Sequence, residues 1–417
     1  MAIFEEIKRS IFELRKAFEV FRMTNTVQKN KAINSLAKEL DKNRTYILRE
    51  NEKDVERAKQ IGIRHALIDR LVLNDKRIDE MIEACKVVLG LKDPVGEVVD
   101  SFVREDGLKI YKVREPIGVI AVIYESRPNV TIETTLLALK SGNVVLLKGG
   151  SDALNSNIAL VNVIKKALLE AGLPPNAVEL VQTTDREVVD YIISQRGLID
   201  LVVPRGGKQL IDYVTSNAKV PVLETGAGVC HIFVDESADI GKSISVIDNA
   251  KTQRPGTCNA VETLLVHEKI APRLLPELKK VFDEKGVEIR GCEKTREIID
   301  CKLATEEDWS TEYLDLIISI KIVSSLDEAI EHINKYSTKH SEAILTENYT
   351  NAMKFLNSID SSTVYVNAST RFTDGGQFGM GAEIGISTQK LHARGPVGLK
   401  ELTTTKFIVF GDYHVRK

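Results

Sequence analysis

No stretch of the 417 residues reaches the roughly 18 apolar residues in a row that a membrane-spanning helix needs. The opening residues, Met-Ala-Ile-Phe-Glu-Glu-Ile-Lys-Arg, hold no apolar signal core, so a cytoplasmic chain is expected. An excess of one charge is missing too. The 57 Lys and Arg against 60 Asp and Glu leave a formal net charge of −3. That balance gives no reason to expect nucleic acid or an anionic membrane as a partner. Cysteine is sparse: five residues, odd in number and widely spaced, which read as reduced thiols and not as a disulfide framework. Neither Cys-x-x-Cys nor His-Glu-x-x-His occurs among the five Cys and seven His, so no metal site is expected. Gly-x-Gly-x-x-Gly, the P-loop pattern, long repeats and low-complexity segments are absent as well.

What is present is α/β patterning, over a length that predicts two to three domains. Residues 1–95 read as helices, with one apolar stripe at Ile7, Ile11, Leu14, Phe18 and Phe21. A second stripe at Ile33, Leu36, Ala37 and Leu40 is opened by a capping-box signal, Asn25 and Gln28. Alternating residues on either side of Asp106-Gly107 predict a hairpin over 97–114. The tail, Thr403 to Phe410, reads as another strand. Both have free edges, which are usually covered, so the two are expected to meet and to serve a subunit contact. From 117 the chain alternates short apolar strands with helices, closing at Val220 to Leu223, and a second alternating series runs from 231 to Val366. Such βαβ units predict parallel sheets that bind ligands beyond the carboxyl ends of their strands. Lys148-Gly149-Gly150 and Arg205-Gly206-Gly207-Lys208 follow two of those strands. Glycines with cations at a helix start suit a phosphate, although a bare Gly-Gly pair also serves as a plain turn.

The stretch Thr252 to Ala260 carries the chemistry. A helical pattern (Ile240, Ile244, Ile247, Ala250) meets Pro255-Gly256, Cys258 follows, and a strand-like run begins at Val261. Proline and glycine stop the helix and place the cysteine in a tight loop. There it is either a nucleophile or a buried structural thiol. As a nucleophile it has amides of Cys258 and Asn259 to face developing negative charge, and Lys251 and Arg254 to favour the thiolate. Cys85 and Cys230 read as packed thiols, and Cys292 and Cys301 as peripheral ones.

Leu223-Glu224-Thr225-Gly226 before Cys258, with Glu312-Tyr313-Leu314 and Val366-Asn367 after it, resembles the order found in the aldehyde dehydrogenase superfamily. There a cofactor domain and a thiol-bearing domain enclose a cleft. Tyr124 to Asn129, Gln253 to Ala260, Val366 to Phe372, Gly381 to Thr388 and Leu391 to Pro396 narrow the likeness to the family of gamma-glutamyl phosphate reductases, over nearly the whole chain. The resemblance implies an aldehyde-dehydrogenase-like α/β fold: a Rossmann-type NADP-binding domain (1–96 and 117–230), a catalytic α/β domain (231–395) and small β oligomerisation strands (97–116 and 396–417). It implies NADPH-dependent reduction of L-glutamyl 5-phosphate to glutamate 5-semialdehyde and phosphate, in the cytoplasm, on the route from glutamate to proline. An upstream glutamate kinase and a homo-oligomer, dimer or larger, come with it as partners.

By the same resemblance Cys258 is the catalytic cysteine, and Lys148, Gly206, Gly207, Lys208 and Glu312 hold NADP(H). Glu224 aligns with the base that hydrolytic relatives use, here either a proton carrier or a support for the loop. Ser126 stands where relatives place an oxyanion-binding asparagine, with Asn129 or backbone groups as substitutes. A substrate bearing carboxylate, ammonium and phosphate calls for cations and polar groups. Arg127, Arg254, Arg371, His392 and Arg394 are the candidates, with Asn259, Asn367, Ser369 and Thr370 for orientation. The competing readings are a hydrolytic NAD(P)-dependent aldehyde dehydrogenase, in which Glu224 is essential, and a non-catalytic nucleotide-binding scaffold, which retention of Cys258 behind Pro-Gly-Thr argues against.

Overall fold

The structure is a computed structural model that describes residues 2–62, 65–125, 127–185 and 187–416. The chain divides into two compact units. The first comprises Met1–Glu224, Gly379–Gly385 and Val397–Lys417, and the second Thr225–Phe378 with Ile386–Pro396. No helix among the described residues is long and apolar enough to cross a membrane.

In the first unit the expected amphipathic stripes are buried: Ile7, Ile11, Leu14 and Phe21 on the helix Ala2–Phe21, and Ile33, Leu36 and Leu40 on Thr26–Lys42. The latter helix opens with both bonds of the capping box, Gln28 N to Asn25 Oδ1 and Asn25 N to Gln28 Oε1. Four parallel strands lie in the order Val178–Leu180, Val144–Lys148, Val119–Tyr124, Leu201–Arg205. Chain order reverses between the last two, which makes the crevice beyond Tyr124 and Arg205 a topological switch point. Buried Asp54 accepts from Asn155 N (3.2 Å) and Ser156 N (2.7 Å), satisfying the open amides at the start of the helix Leu154–Ala171. The expected closing strand at Val220 to Leu223 is not formed, and only one bridge joins Val222 to Val202.

The hairpin is present as Val98–Val103 paired with Lys109–Pro116, and Gly107, at φ 88°, supplies the left-handed turn residue. The tail strand Thr403–Phe410 does meet it, running antiparallel to Lys109–Pro116. Val98, Phe102, Val103, Phe407, Val409 and Phe410 on this small sheet are exposed.

The second unit is built on seven strands in the order Lys302–Leu303, Glu288–Gly291, Ile317–Val323, Val261–His267, Cys230–Val234, Ser341–Leu345, Thr363–Val366, every neighbouring pair parallel. Successive strand residues face opposite sides. Ile232, Val234, Leu264 and Val266 therefore enter a core with Ile247, Leu274 and Phe282, while Phe233 and Leu265 enter another with Ile333 and Phe355.

Candidate active site

Cys258 occupies the loop between the helix Ile240–Thr252 and the strand Val261–His267, half-buried, as the Pro-Gly break predicts. Thr257 Oγ1 bonds Arg254 O at 2.8 Å and Ala260 N bonds Thr257 O at 3.0 Å, closing the turn on both sides of the cysteine. Its carbonyl oxygen is held from below. The Cys230 thiol donates to Cys258 O at 3.1 Å, and a Cβ placed on Gly228 would lie 1.5 Å from the same oxygen. Only a glycine lets the two backbones come this close. Burial pushes the Cys230 thiol well above its ordinary pKa, so it stays protonated and can donate. His340 Nδ1, 3.7 Å from the Cys230 sulfur and 2.8 Å from Ser341 Oγ, belongs to an imidazole that burial holds down at about 4 and therefore neutral.

Lys251 does not lend its charge to the thiol. Its ammonium is fully buried, 2.5 Å from Glu262 Oε2 and 3.0 Å from Val261 O. Burial lowers the lysine and raises the glutamate, so each charge depends on the other. Glu262 Oε1 also accepts from Leu314 N at 3.3 Å, where Leu314 adopts φ 55°. This fastens the 311–315 loop beside Gly256, whose added Cβ would sit 3.7 Å from Leu314 O. On that loop Glu312 accepts from Gly228 N at 2.7 Å, and burial raises its carboxyl pKa. The side chain expected to face a ribose thus also braces the glycine beneath Cys258.

Several residues expected at the substrate make hydrogen bonds within the loops. Asn259 is buried, donates to Thr373 O (2.9 Å) and Arg371 O (3.3 Å), and accepts from Thr257 Oγ1 (2.9 Å) and from the Arg371 guanidinium. Thr370 Oγ1 bonds Asn259 O at 2.7 Å, and Ser369 Oγ accepts from Arg371 N at 3.3 Å. Asn367, at φ 55°, pairs through its amide with Thr346 N and O, both at 2.8 Å. Irregular backbone must find hydrogen-bond partners, and these side chains supply them. Arg394 is paired with Asp360 at 2.9 Å, whereas Arg254 and His392 are exposed.

In the first unit Lys148 is buried at the end of its strand and donates to Gly149 O at 3.0 Å. Burial lowers its pKa and Asp185 partly restores it. Gly149 has no room for a side chain, since an added Cβ would meet Asn157 Nδ2 at 2.2 Å. At the switch point Glu125 Oε2 accepts from Gly207 N at 2.9 Å and would lie 2.6 Å from a Cβ on Gly206, so an acid occupies the glycine turn where a phosphate was expected. Lys208 is exposed and paired with Asp212 at 2.9 Å. Asn129 donates to Glu133 at 2.8 Å within its own helix. Arg127 is exposed and Glu224 half-buried, and Ser126 lies outside the described residues.

Sequence reasoning missed Gly228, Cys230 and Glu125. A glycine just ahead of a strand is the one available signal, since it marks close backbone approach. The bonds made by Cys230 and Glu125 join segments far apart in the chain.

A model of the aldehyde dehydrogenase family matches residues 4–289 and 308–408. The gamma-glutamyl phosphate reductase of Thermotoga maritima is 64% identical over 414 residues, 99% of this chain and 100% of that one. A crystal structure of gamma-glutamyl phosphate reductase from Thermotoga maritima is similar with a TM-score of 0.97 at 64% identity, covering 99% of this chain and 100% of that chain. The fold is shared with an acetylating aldehyde dehydrogenase from Geobacillus thermoglucosidasius, at TM-score 0.72 and 18% identity over 100% of this chain and 98% of that one.

Proposed function

Because the chain belongs to the aldehyde dehydrogenase family, among its gamma-glutamyl phosphate reductases, we propose that it reduces L-glutamyl 5-phosphate to L-glutamate 5-semialdehyde and phosphate through a Cys258 thioester. The step belongs to proline biosynthesis from glutamate. The observation that carries it is a half-buried thiol pinned through its own carbonyl, in a chain with full-length identity of 64% to a relative of that name.

The Cys258 thiolate attacks the acyl carbon. A C–S bond forms, the C–O bond to phosphate breaks, and phosphate leaves with the electron pair. Backbone N–H groups of Cys258 and Asn259 face the oxyanion, held in place by the bonds that fix the Cys258 carbonyl and the Asn259 side chain. The nicotinamide cofactor, when bound, supplies a hydride to the acyl carbon. The C–S bond then breaks and returns the thiolate as the aldehyde leaves. No step consumes water, so Glu224 has no hydrolysis of the thioester to serve and instead carries a proton or supports its segment.

NADPH is proposed as the cofactor, held by Lys148, Gly206, Gly207, Lys208 and Glu312. Lys148 fits that group: among the described residues its buried ammonium has one backbone acceptor, leaving hydrogens for ribose or phosphate oxygens. Glu125 stands in the way of a phosphate at the Gly207 amide. Glu125→Gln is therefore expected to tighten NADPH binding roughly two- to fivefold, the size of a charge effect at a helix start. Fluorescence titration checks this, and unchanged affinity would remove Glu125 from the cofactor's path.

A cytoplasmic location and supply of the acyl phosphate by a glutamate kinase complete the reading. The apolar sheet of Val98–Val103, Lys109–Pro116 and Thr403–Phe410 is taken as a contact between copies, which sedimentation as a monomer at micromolar concentration would refute. The reaction itself is tested in reverse, by following NADPH absorbance from NADP⁺, semialdehyde and phosphate. Phosphate-dependent NADPH formation supports the assignment. Turnover that ignores phosphate and releases glutamate would mark a hydrolytic enzyme instead.

A further inference from the structure

The cation that favours the Cys258 thiolate is missing from the place where the neighbouring sequence puts it, because Lys251 is neutralised by Glu262. Arg254, the other local cation, is exposed and screened by water. A third cation arrives from far along the chain. Arg371, half-buried, donates from Nε to Gln253 Oε1 at 2.8 Å and from Nη1 to Thr257 Oγ1 at 2.9 Å and to Asn259 Oδ1. Thr257 and Asn259 are the residues on either side of the cysteine, so one guanidinium bridges across Cys258.

We infer that Arg371 is the positioning residue of the nucleophile: it holds the loop across Cys258 and supplies the uncancelled positive charge that keeps the thiol ionised. The acceptors it bonds on the loop are neutral, and among the described residues it forms no ion pair with a carboxylate, so its charge remains available to an anion beside it. Burial and repulsion from Arg254 work against the guanidinium, while the nearby Asp374 and then Cys258 favour its charged form. Asp374 offsets part of that cost without forming an ion pair with the guanidinium, and a thiolate at Cys258 is the anion that adds to it. The other charged groups around the loop do not replace it. Glu312 is an acid braced on Gly228, the Lys251–Glu262 pair is internally neutral, and His340 is an uncharged imidazole.

The inference rests on the proposed function only in taking Cys258 as the nucleophile, and its deciding readout, the thiol titration, needs neither substrate nor cofactor. Iodoacetamide labelling of the peptide containing Cys258 is followed by mass spectrometry against pH for the native chain, Arg371→Gln and Arg371→Lys, with circular dichroism to confirm folding. Arg371→Gln is expected to move the titration midpoint upward and to slow labelling at neutral pH by about tenfold, one pKa unit. Arg371→Lys keeps the charge but loses the bridge. Its midpoint should stay near the native one while kcat falls with an unchanged KM for the acyl phosphate. An unmoved midpoint in Arg371→Gln overturns the inference, and a raised KM beside it would assign Arg371 to the substrate. If Arg371→Gln does not fold, a Lys variant whose midpoint rises as far as one unit overturns it equally.

Discussion

Cys258→Ala is expected to abolish reduction of the acyl phosphate by the nicotinamide cofactor, with kcat falling on the order of 10⁴- to 10⁶-fold, the scale seen when a covalent nucleophile is removed. The structure makes this a clean substitution. What pins residue 258 is its carbonyl oxygen, bonded by the Cys230 thiol and packed on Gly228, and alanine keeps that oxygen. The variant should therefore melt within a few degrees of the native chain and bind NADPH with the same affinity. In the native protein without cofactor, mass spectrometry should find a glutamyl adduct on the Cys258 peptide, absent from the variant. Turnover surviving in Cys258→Ala would place the chemistry on another group.

Gly228→Ala is the second large effect, and it acts without touching a reacting atom. The new methyl would meet a backbone oxygen at 1.5 Å, and neither chain can turn a side chain aside to relieve it. The start of the Cys230–Val234 strand or the cysteine loop has to move, and the Glu312 bond to Gly228 N moves with it. A displacement of about 1 Å at a nucleophile is enough for roughly a 10²-fold loss in rate. Forcing an extra methyl into a packed site costs about 1–3 kcal/mol of stability. Steady-state kinetics and thermal melts should report both losses together. Gly226→Ala supplies the contrast, because the atoms nearest its methyl belong to the Thr388 side chain, Oγ1 at 2.8 Å and Cγ2 at 3.1 Å, and not to backbone. Equal damage from the two variants would mean that the contact on the Cys258 carbonyl is not what matters.

The regular elements were legible because hydrophobic period is local. The alternation of strands and helices predicts parallel sheets, and two are found. Boundaries slipped where a cap overrides the apolar pattern. The apolar run from Ile132 does not mark the start of its helix, which is Pro128, because proline fits the first helical turn, where its missing N–H is not needed. Val220 to Leu223 looks like a strand by composition, but Pro221 removes one donor from the ladder and a single bridge remains.

The cysteine loop was legible in its place between a helix and a strand, and the hydrogen bonds of its neighbours were not. Lys251 stands close to Cys258 in sequence, yet its ammonium turns to Glu262, since a buried charge needs a partner before it can serve a neighbour. Asn259, Ser369 and Thr370 are polar residues in motif positions and read as substrate contacts. A loop without ladder hydrogen bonds has first claim on such side chains. Arg371 was only one arginine among five candidates, and what singles it out is a fold that brings it across the cysteine loop.

The tail strand also bears on how the molecule is made. Thr403–Phe410 completes the sheet on Lys109–Pro116, so this sheet of the first unit is whole only once Phe410 has been made. The second unit has its seven strands in hand once Val366 has left the ribosome. The sheet of the unit synthesised later is thus the one able to form earlier, and a ribosome stalled before Thr403 is made would hold an unpaired strand edge in reach of its neighbours on the same message.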